Sequence, residues 1–211
     1  MNDTRDANGL VALITIEAAL VTVIGVARER AEAGDLDLAV DEIDVLRAAQ
    51  CQDEAHYHLL RALGAVPATE VFAIAESTLG GREPLLRFVL ALKEIATGAG
   101  MALARAQAGA GEPPLAETIF AMGAIEAGHA TLLRRMLGQS PPNDRAFLPW
   151  RFTEAADALV VLAETGLLDV TPDAVAFPGP LPRDCRGVAG LVPQTTEDAL
   201  RWRDITAGPK S

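Results

Sequence analysis

Glycine and proline cut the first two thirds of this 211-residue chain into four long apolar stretches, and that punctuation restricts the fold more than any other feature. The first stretch runs from about Gly9 to Ala33 and stops at Gly34. The second opens at Asp35, a good N-cap, and ends at Leu63 before Gly64. The third begins near Pro84, a residue favoured in the first turn of a helix, and runs to Ala108 before the AGAG stretch. The fourth starts with Pro113 and Pro114 and ends at Leu137, closed by Gly138. Each is about 24 to 29 residues long, roughly 36–43 Å of helix. Four helices of matched length predict an all-α four-helix bundle. Composition agrees, because half of the residues are hydrophobic and only 4% are aromatic, a mixture suited to helices packed closely side by side.

The connections are unequal. Short turns join the first helix to the second and the third to the fourth, so each pair is expected to be antiparallel. Residues 64–83, which include VFAIAESTLGG, are long enough to cross the bundle from end to end. The bundle is therefore assigned to residues 1–138 and a C-terminal extension to residues 139–211. In the extension TEAADALVVLAETGLL reads as a fifth helix, and VTPDAVAFPGPLPRDCRGVAGLVP is too rich in Pro and Gly for regular structure. A further short helix is expected in TTEDALRWRD. Phe147, Trp150 and Phe177 predict that the extension wraps the bundle.

A net charge of -11 argues against nucleic acid or an anionic membrane as partner. Cys51 and Cys185 show no metal-type spacing and read as reduced thiols in a cytoplasm, with a single disulfide as the alternative. The apolar N-terminus lacks the basic leader of a signal peptide, since Asp3 and Asp6 flank Arg5, and Glu17 interrupts a membrane span. It reads as a buried helix of a soluble, cytoplasmic protein.

The informative feature is a set of acids and histidines embedded in these apolar runs. Glu17 lies in LVALITIEAALVTVIGV, Glu94 in FVLALKEIATGAGMALA, Asp53 and His56 in CQDEAHYHLL, and Glu126 and His129 in IFAMGAIEAGHATLL. A buried carboxylate is costly unless a cation or strong donors neutralise it. Asp53 with His56, and Glu126 with His129, are i, i+3 pairs that share a helix face. Depth agrees as well: Glu17 and Asp53 lie 17 and 19 residues from Gly34, and Glu94 and Glu126 lie 17 and 15 from Gly111. One carboxylate from each of two helices, with a carboxylate-x-x-His pair from each of the others, is the inward-facing pattern of di-iron and di-manganese bundles.

Residues 10–138 accordingly resemble the ferritin-like superfamily, in particular its bacterial branch of desiccation-associated proteins. The resemblance rests on Glu17, DEAHYHLLRALGA, Glu94 and EAGHATLL. It implies that Glu17, Asp53, His56, Glu94, Glu126 and His129 ligate two metal ions. Asp53 departs from the commoner Glu, and the extension lies outside the resemblance.

Plainer readings exist for several of these residues. Glu17 could be a half-exposed residue, Lys93 beside Glu94 could mark a polar stripe, and Glu126 with His129 could be a metal-free pair. Glu54 could replace Asp53 on a rotated helix, although it diverges from His56 by about 160°. His58 fails the same test. Tyr57 points about 100° from His56 and reads as packing or surface. Arg134 and Arg135 read as a solvated helix end that suits the helix dipole.

Oxygen-rich donors with two imidazoles suit two iron ions, with manganese or a mixed Mn/Fe pair as alternatives. The leading expectation is an O2-dependent oxidoreductase acting on a small organic substrate. The alternatives are an iron-oxidising or iron-handling protein and a non-enzymatic stress protein. A homodimer is an open outcome.

Overall fold

The computed structural model describes residues 3–144, 146–147, 152–183 and 185, and it is mostly helical. In chain order come α1 (Asp3–Ala33), α2 (Val40–Ala62), the one-turn α3 (Glu76–Leu79), α4 (Arg82–Ala110) and α5 (Pro113–Met136). The four long helices form a closed set of contacts, α1 against α2 and α4, and α5 against α4 and α2.

Their polarity follows from ion pairs gathered at one end. Arg30, in the last turn of α1, pairs with Glu76 of α3. Arg82, the first residue of α4, pairs with Glu42 in the first turn of α2 and donates to the Met136 carbonyl at the end of α5. So α1 and α5 end where α2 and α4 begin. The segment between α2 and α4 runs lengthwise along α1. Its Ala68 N–H donates to Thr15 Oγ1 at 2.9 Å, and Glu76 has reached the level of Arg30. Fifteen helical residues separate those anchors, about 22 Å.

The helix stops fall where glycine permits a left-handed turn. Gly34 (φ +86°) closes α1 and Gly138 (φ +79°) follows α5. Helix α2, however, starts at Val40 and not at Asp35. The Asp35 N–H donates to the Arg30 carbonyl at 2.8 Å, which completes the closing turn of α1 and takes that residue out of the next helix. The Ala39 N–H instead donates to the Glu42 carboxylate at 3.1 Å and opens α2.

Helix α1 is buried on every side from Ala12 to Gly25. Residues Ala7–Ala33 are long and apolar enough to cross a membrane; an 18-residue stretch within them has a mean hydropathy of 2.4, and 83% of that stretch is buried inside the protein. Part of its cover comes from the extension. The expected fifth helix is α6 (Asp157–Glu164), which packs on α1 and α4 through residues that include Ala158 and Leu162. The Pro-rich stretch holds more structure than its composition suggests. Val71–Phe72 (β1) pairs antiparallel with Val175–Ala176 (β2), Val71 opposite Ala176 and Phe72 opposite Val175. Phe177 lies on the Tyr57 ring, with centroids 4.2 Å apart. Phe147, by contrast, is exposed. Trp150 and the helix expected in TTEDALRWRD lie outside the described residues.

Two expectations about polar residues are corrected here. Cys51 and Cys185 are not reduced thiols; they form a disulfide with Cα atoms 5.8 Å apart, so the main support for a cytoplasmic setting is removed. Arg134 is not solvated but buried against Glu94.

A buried polar knot ties the extension to α1. Gln50, fully buried, donates through Nε2 to the carbonyls of Val21 (3.0 Å) and Pro180 (2.8 Å) and accepts from Arg28 Nε (3.0 Å). Gly25 makes the approach feasible, since a Cβ there would lie 2.3 Å from the Pro180 carbonyl oxygen and 2.7 Å from Gln50 Nε2. Backbone cannot yield as a side-chain tip can. Gly25→Ala is therefore expected to cost about 2–3 kcal/mol in urea unfolding. An unchanged midpoint would mean that this part of the extension is not seated on α1.

Candidate metal centre

Each of the four long helices sends ionisable groups into the space between them. Helix α1 supplies Glu17, α2 supplies Asp53 and His56, α4 supplies Lys93, and α5 supplies Glu126 and His129; Glu17, Asp53 and Lys93 are fully buried and Glu126 nearly so. Ligand atoms of Glu17, Asp53, His56 and Glu126 all lie within 4.8 Å of one another. The two i, i+3 pairs bring their members together as the helical spacing predicts.

The groups fall into two halves that share Glu126. In the first half His56 Nδ1 lies 3.1 Å from Glu126 Oε1 and 3.6 Å from Glu17 Oε1. In the second, His129 Nδ1 lies 3.8 Å from both Asp53 Oδ1 and Glu126 Oε2. His129 Nε2 is held by Gln52 Oε1, so when the imidazole is neutral and donates that proton, its Nδ1 lone pair faces the carboxylates. Such an outer partner is what fixes a ligating histidine.

Lys93 occupies the second half. Its ammonium contacts Asp53 Oδ1 and lies 2.7 Å from Glu126 Oε2. Glu94, and not Lys93, is the α4 residue that the sequence places in the centre. Glu94 is instead turned toward Arg134, 2.6 Å away, in a separate buried ion pair between α4 and α5. Depth along the helix cannot tell neighbours apart, because one residue is 1.5 Å of rise; the 100° rotation between them decides. A signal was present. Seven residues before Glu94 stands the exposed Arg87, and seven after it the half-exposed Met101, whereas Lys93 has the buried Leu86 and Gly100 at those spacings. Gln52 offered no such signal.

The charges constrain one another. Burial alone would lower the Lys93 ammonium, but Asp53 and Glu126 outweigh it and raise its pKa. Burial likewise opposes charge on His56, yet the neighbouring Glu17 and Glu126 carboxylates push it up to about 10. Glu126 is held well below the ordinary carboxylate range: Lys93, with the two histidines close by, prevails over burial. Burial, reinforced by Glu126, raises Glu17, and burial raises Asp53 well above its usual value in spite of Lys93. Burial and Lys93 both lower His129. Two cations thus face three carboxylates, of which Glu126 is the firmest anion, while Glu17 and Asp53 bind a proton more tightly than ordinary carboxylates do.

Both oxygens of Glu17, Oδ2 of Asp53 and Nδ1 of His56 are buried without a hydrogen-bond partner. Polar atoms in that condition are costly. Three carboxylates and an imidazole converging there form an oxygen-rich donor set for a divalent cation, and a bound ion would satisfy these atoms at once. It would also displace the His56 proton, as metal binding at imidazole does.

The neighbours are quieter. Tyr57 is buried and donates to Glu70 at 2.7 Å, and the exposed His58 stands 3.7 Å from Glu54, so none of the three joins the centre. Outside the centre, a cavity of about 160 Å³ is lined by Thr97, Met101, Phe120, Gly123, Ala124 and Ala127. It shares helical turns with the centre, because the Thr97 hydroxyl donates to the Lys93 carbonyl at 2.8 Å and Gly123 precedes Glu126 by three residues. Comparison with protein-family models, curated proteins and solved structures finds no match to this chain.

Proposed function

We propose that this chain is a metal-binding, ferritin-like four-helix bundle whose buried centre holds iron or manganese for the O2-dependent oxidation of a small organic substrate. The observation that carries the reading is Glu17. A fully buried carboxylate with neither oxygen hydrogen-bonded, beside His56 and Glu126, is a ligand position rather than a packing residue. Helix polarity, the lengthwise connection between α2 and α4 and the carboxylate-x-x-His pairs on α2 and α5 support the bundle. Glu17, His56, Glu126 and the Asp53 oxygen that Lys93 leaves without a partner, Oδ2, would hold the ion, which when bound supplies one-electron chemistry toward O2. The surrounding apolar helices exclude water. The Thr97–Phe120 cavity suits a small apolar substrate, which would approach along the α4–α5 face.

A second reading, a metal-free polar core, is favoured by Lys93, which already neutralises part of the cluster. Elemental analysis separates the two. Protein produced with iron and manganese is expected to carry metal that Glu17→Ala loses while keeping its helical content. Absence of metal from the unaltered protein in both media would hand the centre to the second reading. O2 uptake on addition of ferrous iron alone, without an organic substrate, would direct the redox assignment to iron oxidation.

A further inference from the structure

The two halves of the centre are not equivalent. Among the described residues, the half made by Glu17, His56 and Glu126 Oε1 contains no lysine or arginine, whereas in the half made by Asp53, His129 and Glu126 Oε2 the Lys93 ammonium lies against both carboxylates. Glu126 bridges them, one oxygen to each side.

We propose that the Lys93 ammonium permanently occupies the second of two cation positions, so that the centre takes a single metal ion in the Glu17–His56 half. The inference rests on the metal-binding reading for that half, and on geometry alone for the lysine. Two carboxylate oxygens, Asp53 Oδ1 and Glu126 Oε2, lie against the Nζ atom, and Lys93 itself is fully buried. An ammonium needs acceptors where a divalent ion needs ligands, and both are met here by the same atoms. The lysine is tethered to α4, so a second ion would have to expel a cation that cannot leave by diffusion. The neighbouring acid on α4, Glu94, is turned to Arg134. A centre of this kind holds one ion beside a fixed positive charge.

The prediction is a difference in ion count. Manganese(II) titration followed by elemental analysis is expected to give one more ion per chain in Lys93→Met than in the unaltered protein. The paramagnetic resonance spectrum of the variant should change from that of an isolated ion to that of a coupled pair. Equal counts would overturn the proposal. Lys93→Met removes a buried counter-charge, so it is refolded in manganese(II), and Lys93→Gln, which keeps a donor, serves as a second lysine variant.

Two further variants test the asymmetry with Lys93 in place. His56→Ala is expected to lose the ion, and His129→Ala to keep it with less than a tenfold loss of affinity. Equal losses in the two would overturn the proposal. An unaltered protein without metal would count against the function proposed above and not against this inference. Gain of one ion on removing the lysine would still support it, and no gain would sink it.

Discussion

Lys93→Ala is expected to destabilise the metal-free protein by about 3–5 kcal/mol, the cost typical of breaking a buried ion pair by removing one partner. Lys93 is fully buried, and so is Asp53, while Glu126 is almost so; neither acid can turn to water when the ammonium is gone. The loss has a ceiling, because a stranded carboxylate can take up a proton instead of remaining charged. That ceiling gives the prediction its pH dependence. In the variant the folded acids bind protons more tightly than they do in the unfolded chain, so stability falls as pH rises through their folded pKa values. In the unaltered protein Glu126 behaves oppositely: its pKa is depressed by Lys93, and its contribution is present above the ordinary carboxylate pKa and is lost as pH falls below it. Urea unfolding of both proteins at pH 5 and pH 7 should show the deficit of the variant widening at the higher pH. A deficit below about 1 kcal/mol at pH 7 would mean that Lys93 is not the counter-charge of this cluster.

The same residue marks the boundary of what the sequence could disclose. Periodicity and punctuation located all four long helices, and the i, i+3 spacing put Asp53 beside His56 and Glu126 beside His129 without any structure. Those inferences depend on rise and spacing, which a helix fixes rigidly. The azimuth of α4 does not follow from spacing alone, because Lys93 and Glu94 are adjacent polar residues in one apolar run. Chemical expectation favours the acid as the ligand, with the lysine at most the mark of a polar stripe. What places Lys93 inside is the apolar row before and after it, set against the polar and half-exposed residues in register with Glu94. The start of α2 shows another limit. Asp35 has the chemistry of an N-cap, but its backbone N–H is consumed in closing α1. The extension was least legible, since a two-residue strand and a disulfide are long-range pairings that leave no local period to read.

Removing the Cys51–Cys185 disulfide by a double serine substitution is expected to cost about 3–5 kcal/mol of stability. The cross-link joins residues 134 apart, so its chief effect is on the unfolded chain, where it closes a long loop whose entropy is regained once the bond is gone. Folded contacts alone would suggest a smaller loss, because the extension has other anchors in the Gln50–Pro180 hydrogen bond, the β1–β2 pair and the Phe177–Tyr57 ring contact. The variant should therefore keep its helical content and its seated extension in buffer, and reveal the loss only as a lower unfolding midpoint. Cys51 lies two residues before Asp53 on α2, which would couple the disulfide to the candidate metal centre. Asp53, however, is held by Lys93 across the centre, and Gln50 by Val21 and Pro180, so ion content should be unchanged in the double variant. A midpoint that does not move, in the variant or on adding reductant, would show that the thiols are unpaired in solution. It would also restore the support for a reducing compartment that the disulfide removes.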